Sequence, residues 1–188
     1  MSVKCFLSGA IFAGLASSAT AHEFTAGLLV TGPDAAPRLA EVVNGFLLAA
    51  DERDGHANET SDGHLGGVDV QILPLPRGSG AGLTGLSGNP SQRPDVVVIF
   101  GDEPVQPAML QPGVRIVRPG SLPPDPVWQQ DDFADRYRAA YGRVPTRDAA
   151  SGYNEARRLD HAIRPLNGLS PPDAFQAGIQ ATAGGSEW

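Results

Sequence analysis

The chain has 188 residues, 41% of them hydrophobic and 19% charged, with 23 glycines, 17 prolines and a formal charge of −7. These values fit a globular chain with long loops. They exclude a collagen-like repeat, because the glycines have no period, and a charge-driven disordered chain, because Leu, Val and Ile are plentiful. Nucleic acid is excluded as an expected partner by the negative charge and the lack of an arginine stripe.

Met1 to Ala21 reads as an export signal. Lys4 supplies the positive start, Cys5 to Leu15 is an apolar run too short to span a bilayer, and Ala19-Thr20-Ala21 is a small-x-small cleavage site. Cleavage after Ala21 is expected, with His22 as the new N-terminus and the periplasm as the destination. The remaining 167 residues carry 13 arginines against 21 acids, a net charge of −8, and neither lysine nor cysteine. No thiol is left for disulfides, nucleophilic catalysis or metal ligation. No later apolar run is long enough for a membrane span.

Phe24 to Thr31 is a short apolar run stopped by Gly32-Pro33, a buried strand. Arg38 to Glu52 places Leu39, Val42, Val43, Phe46, Leu47 and Ala50 at steps of three and four, which predicts an amphipathic helix. Asp54 to Gly67 is a polar loop. Val68 to Leu75 alternates and then meets proline, giving a second strand. Arg77 to Arg93, rich in Gly, Ser and Asn, reads as a long connection.

Asp95 to Phe100 is the clearest strand, and its unbroken β-branched run suits a parallel strand covered on both faces. Val105 to Leu110 suggests a short helix, and Val114 to Val117 a fourth strand. Pro119 to Gln130 is a connection. Asp132 to Tyr141 and Asp148 to Ile163 follow as helices, the first ended by Gly142. Tyr137, Tyr141 and Tyr153 are expected to pack in the core, and His161 to sit in a core-packed helix. Ser170-Pro171-Pro172-Asp173 opens a last helix, with Ser170 as the cap and Phe175 and Ile179 as anchors. Gly184 to Trp188 reads as a frayed tail. This order implies an α/β fold: a single open, mostly parallel sheet of about four strands with helices on both faces.

Several segments together resemble the type I periplasmic solute-binding proteins, the leucine/isoleucine/valine-binding receptors of ABC importers. Gly45-Phe46-Leu47-Leu48-Ala49-Ala50, then Leu65-Gly66-Gly67 and a strand, resembles that family's first helix, glycine pair and second strand. Phe133-x-x-x-Tyr137, Tyr141-Gly142-x-x-Pro145, Ala149-x-x-Gly152-Tyr153-Asn154-x-Ala156 and Ala162-Ile163 resemble a later run of the family. Asn154 replaces an acid there, and one extra residue precedes Ala156. The family has two lobes and about twice this length. Here the fourth strand passes almost directly into the return segment, so residues 22–188 are expected to form one periplasmic-binding-protein-like lobe.

In an open parallel sheet, ligands approach the carboxyl ends of the strands. Those ends are Thr31-Gly32, Gly101-Asp102-Glu103 and Gly120-Ser121. The resemblance implies a glycine and small hydroxyl residues there, holding an amino-acid carboxylate. Gly101 matches the glycine and Ser121 a hydroxyl. Asp102 and Glu103 depart from the pattern, and as acids they repel a carboxylate. Thr31, Gly32, Gly101, Asp102 and Ser121 are the ligand-binding candidates.

Asp-Gly-His occurs twice, at 54–56 and 62–64. His56, Asp62 and His64 are of types that ligate transition metals, but their spacing matches no compact pattern, and a solvated loop is the reading taken. An N-terminal His22 is the remaining copper-chelating candidate, and it is set aside likewise. No nucleophile elbow is found. Gly78-Ser79-Gly80-Ala81-Gly82 is followed by no evident helix, so it is no dinucleotide loop. No metal, cofactor or catalysis is expected. The resemblance implies noncatalytic capture of a small solute such as a branched-chain amino acid, for an ABC permease. The alternative is an accessory protein that has lost capture with the second lobe and docks on another periplasmic protein or on itself as a homodimer.

Overall fold

Five strands form one sheet in the order β2-β3-β1-β4-β5. They are β1 (Glu23–Val30), β2 (His64–Leu65), β3 (Val68–Leu75), β4 (Val96–Phe100) and β5 (Arg115–Val117). The structure, a computed structural model, describes residues 23–53, 60–75, 93–102, 113–130 and 132–185. β1 pairs in parallel with β3 on one side and β4 on the other, and β4 pairs in parallel with β5. The chain therefore steps from β1 outward to β3, then back across β1 to β4. The order reverses between β1 and β4, where an open α/β sheet leaves a crevice at its carboxyl edge.

The expected α/β architecture is present, with one more strand than expected. β2 is the addition, two residues inside the segment read as a loop. It runs antiparallel to β3 through the pairs His64↔Asp69 and Leu65↔Val68. Gly66 and Gly67 make the two-residue turn with φ of 65° and 81°, the left-handed pair that a tight hairpin requires. Asp160 Oδ1 accepts the Gly66 N–H at 2.7 Å and fixes this hairpin to the helical layer.

The helices are α1 (Ala35–Asp51), α2 (Asp125–Gln129), α3 (Asp132–Tyr141), α4 (Arg147–Ile163) and α5 (Pro172–Ala181). Alternate strand residues Phe24, Ala26, Leu28, Val70, Val96, Val98 and Val117 meet Val42, Phe46, Trp128, Phe133, Tyr153, Leu159 and Phe175 in one core. On the opposite face Leu29, Leu75, Val97 and Ile99 are also buried, as the unbroken apolar run of β4 predicts. Every described helix contributes to the first core. The expected helix Val105 to Leu110 and the connection Arg77 to Arg93, save Arg93, lie outside the described residues.

α4 is the central helix. Thr146 caps it by accepting the Ala149 N–H on Oγ1 at 3.2 Å. It crosses α1 so closely that a Cβ on Gly45 would lie 1.9 Å from the Ala149 carbonyl oxygen, and one on Gly152 2.1 Å from that of Val42. Tyr137 and Tyr153 are buried and Tyr141 packs at the core's edge, as expected.

Three local expectations need correction. α2 interrupts the connection read through Pro119 to Gln130; it buries Trp128 and begins beside prolines. α5 is capped at Pro171, with Pro172 as its first residue, so Ser170 lies outside it. His161 does lie in a core-packed helix, as expected, on its one exposed side. The tail begins not as a frayed end but as a turn, in which Gly185 donates to the Thr182 carbonyl while Ala183 accepts the Ser121 N–H at 2.9 Å.

Candidate functional site

A cavity of about 620 Å³ opens at the carboxyl edge of β4 and β5. Its floor is Phe100, Gly101 and Asp102, which leave β4. One wall is the irregular segment from Arg118 to Leu122 that leaves β5. The facing wall comes from helices: Arg38 on α1, and Arg147, Asp148 and Ser151 in the first turns of α4.

Three of the five ligand-binding candidates line this cavity: Gly101, Asp102 and Ser121. Thr31 and Gly32 are not among its lining residues. Thr31 is buried behind it: its Oγ1 donates to the Phe100 carbonyl at 3.3 Å, and its own carbonyl accepts from Arg38 Nη1 at 3.0 Å. Glu103, His22 and His56 lie outside the described residues.

The charges around the cavity differ in how far each is already satisfied. Arg38 is fully engaged, with Nε and Nη2 on the Asp148 carboxylate at 3.1–3.3 Å. Arg147 pairs with Asp125 at the start of α2. Arg118 is different. Its Nη1 donates to the Gly101 carbonyl at 2.7 Å, and among the described residues no carboxylate pairs with it. Asp102 likewise has no cation paired with it among the described residues. Among the described residues, the lining thus carries one cation, Arg118, without a paired carboxylate and one anion, Asp102, without a paired cation, both exposed to solvent.

The wall segment is held from behind by α4. Gly120 N–H donates to Glu155 Oε2 at 3.1 Å, and the Arg118 carbonyl accepts from Arg158 Nη1 at 3.1 Å. Glu155 and Arg158 form an ion pair at 2.7 Å with side-chain exposures of 0% and 2%. Burial pushes the Glu155 carboxyl up, while Arg158 and the Gly120 N–H pull it the other way.

Sequence reasoning named the strand ends and missed the helical wall. Arg38, Arg147, Asp148 and Ser151 come from two helices about a hundred positions apart, and only the packing of α1 on α4 brings them together. The available signal was Thr146-Arg147-Asp148, a cap followed by charged residues at a helix start facing the sheet's carboxyl edge.

Two of the three metal candidates, His64 and Asp62, are engaged in the fold. His64 is buried, with Nε2 2.6 Å from Asp69 Oδ1, and Asp62 Oδ2 accepts the Ile72 N–H at 2.7 Å. Both serve the β2–β3 hairpin. Among the described residues no helix is long and apolar enough to cross a membrane.

No protein-family model matches the chain, and no curated protein matches it. Among solved structures, a branched chain amino acid ABC transporter periplasmic ligand-binding protein from Burkholderia xenovorans LB400 is similar at 14% identity and a TM-score of 0.27. The match covers 82% of this chain and 45% of that one, so this chain spans less than half of that protein's length.

Proposed function

We propose that the chain is a noncatalytic solute-binding protein whose cavity at the carboxyl edge of β4 and β5 takes a small zwitterion, a branched-chain amino acid being the model ligand. The observation that carries this is the pair of free opposite charges, Arg118 and Asp102, on the lining of one cavity. A carboxylate set against Arg118 and an ammonium set against Asp102 would satisfy both at once. That arrangement removes the objection that Asp102 repels an amino acid: it repels one end and attracts the other. Phe100, Pro119 and Leu122 offer apolar surface for an aliphatic side chain.

In this reading residues 1–21 direct export and are removed, and the chain works in the periplasm beside an ABC permease. Arg118, Asp102 and Ser121 are exposed, so beyond the sheet edge and the two helices the described residues leave the cavity open to solvent on one side. A wall on that side would come from a permease, another periplasmic protein or a second copy. The same openness favours the accessory reading, in which the contact with a partner is itself the function.

The test is calorimetric titration and thermal shift with L-leucine, L-isoleucine and L-valine, alongside isoamylamine, which lacks the carboxylate, and isocaproate, which lacks the ammonium. A ligand of the native state alone raises the melting temperature. The expected result is a shift with the amino acids, lost in Arg118→Gln and Asp102→Asn and absent with either single-charge analogue. Equal binding of the analogues would remove the zwitterion reading. No response to any of the five would leave the accessory reading standing.

A further inference from the structure

We propose that Glu155 and Arg158 are positioning residues for the cavity: they touch no solute, and they set the wall from Arg118 to Ser121 in the place where Arg118 and Ser121 face it. The proposal rests on the solute-site reading above and adds a mechanism of construction to it.

The wall segment leaves the sheet after Val117 and is not yet helical, so no ladder or helix satisfies its backbone. Such groups need partners, because an unpaired buried peptide is costly. α4 supplies them from charged side chains. Glu155 takes the Gly120 N–H and Arg158 takes the Arg118 carbonyl, while Pro119 between them has no N–H to satisfy. Arg158 is itself anchored further back. Its Nη2 donates to the Ile179 carbonyl at 2.6 Å and its Nε to Thr182 Oγ1 at 3.3 Å, both at the end of α5. Ala183, just beyond, takes the Ser121 N–H. The wall is therefore tied to α4 and to the C-terminal turn by three hydrogen bonds along four residues.

A charged pair is a poor choice for stability alone. Taking two ions out of water commonly costs more than filling the same space with apolar side chains. What an apolar pair cannot do is hold one peptide N–H and one carbonyl two residues apart. Gly120 fits this role as well: a Cβ there would lie 2.9 Å from Arg158 Cδ and Nε, so the guanidinium stem lies directly beneath the wall backbone. The pair is remote from the free charges it serves. Glu155 and Arg158 are buried and absent from the cavity lining; Arg158 holds the Arg118 backbone, while the Arg118 guanidinium itself rests on the Gly101 carbonyl.

The test measures amide hydrogen exchange of the ligand-free exported chain, then titrates it with L-leucine. The variants are Glu155→Gln and Arg158→Lys, with Ile163→Val as a control that loosens the far end of α4. The expected result is loss of protection at the Gly120 and Ser121 amides in the first two, with β1 and β4 amides unchanged. Leucine affinity falls about tenfold, while Ile163→Val leaves it intact. If Glu155→Gln does not fold, Arg158→Lys carries the test, because lysine keeps the pairing charge but cannot reach Glu155, Arg118 and Ile179 together. Unchanged protection at Gly120 overturns the proposal, and so does unchanged affinity once protection is lost. If the wild-type chain binds no leucine, the solute reading fails separately, and the exchange of the free chain still decides whether the pair holds the wall.

Discussion

Arg38 and Asp148 join the two central helices by a forked contact at the rim of the cavity. Nε lies 3.2 and 3.3 Å from the two carboxylate oxygens, Nη2 lies 3.1 Å from Oδ1, and the remaining Nη1 reaches the Thr31 carbonyl. One guanidinium thus ties the end of β1, the start of α1 and the first turn of α4. Both side chains are roughly 30% exposed, so solvent weakens the pair without abolishing it. Asp148 also lies at a helix start, where a negative charge is favoured. Arg38→Met keeps the stem and removes the fork. It is expected to cost about 1–2 kcal/mol, read as a lower urea midpoint at unchanged slope. No loss of midpoint would show that the fork is a surface contact only.

The crossing of α1 and α4 makes a stronger demand. Alanine is a better helix former than glycine by about 1 kcal/mol, so propensity alone predicts that Gly45→Ala and Gly152→Ala stabilise. The packing predicts the reverse. Each new methyl would meet backbone, the Ala149 carbonyl in one case and that of Val42 in the other, and backbone cannot turn aside as a side chain can. Moving the helices apart opens the core around Phe46 and Tyr153. A net destabilisation of about 1–3 kcal/mol is expected for each, measured by thermal unfolding. A rise in melting temperature with either alanine would contradict the close crossing.

Much of this architecture is legible in the sequence. Short apolar runs place β1, β4 and β5, alternation places β3, helical spacing places α1, α3 and α4, and the proline-led start places α5, each within a few residues of where it lies. β2 was not legible because two residues carry no period, and only pairing with β3 makes them a strand. α2 was hidden by its prolines. Glu155, Arg158 and Asp160 escaped for a different reason. A helix read by its apolar stripe is assumed to turn its charged side to water, but α4 is covered by α1, by α5 and by the β2–β3 hairpin. Glu155, Arg158 and Asp160 are buried and bonded to backbone on the neighbouring elements. The site was half legible on the same terms. Strand ends follow from topology, whereas Arg38 and Asp148 depend on how two helices meet.

The tyrosines give a prediction in pH. All three of the chain's tyrosines are described, and burial raises each phenol, Tyr137 and Tyr153 to about 12 from an ordinary value of 10.0. Nearby carboxylates add to the effect. Tyr137 Oη donates to Glu41 at 3.1 Å and Tyr153 Oη to Glu52 at 2.7 Å, and ionisation would lose both bonds. The folded pKa lies above the unfolded one, so the stabilisation is complete below pH 10 and is lost as pH rises toward 12. Ultraviolet titration should show clearly less tyrosinate in the native chain at the pH where the urea-unfolded chain is half ionised. Coincident titration curves would refute the buried, carboxylate-bonded phenols.

Two glycines at the sheet's carboxyl edge separate backbone strain from damage to the cavity. Gly32 and Gly101 both have positive φ, 89° and 111°, so alanine is strained at either. The space around them differs. A Cβ at Gly32 would come no nearer than 3.8 Å to Arg38 Nη1, whereas one at Gly101 would lie 2.5 Å from Thr31 Oγ1 and 2.9 Å from its carbonyl oxygen. Gly101 also carries the carbonyl that anchors Arg118. Gly32→Ala should therefore lower stability by about 1–3 kcal/mol through strain alone and leave leucine binding as it was. Gly101→Ala should push β4's exit away from Thr31 and carry the Arg118 anchor with it. Its melting temperature should fall further, and its leucine affinity should fall where that of Gly32→Ala does not. Thermal unfolding and calorimetry on the two variants side by side decide the matter. Equal affinity in both would mean that Gly101 shapes the turn but not the place where a solute is held.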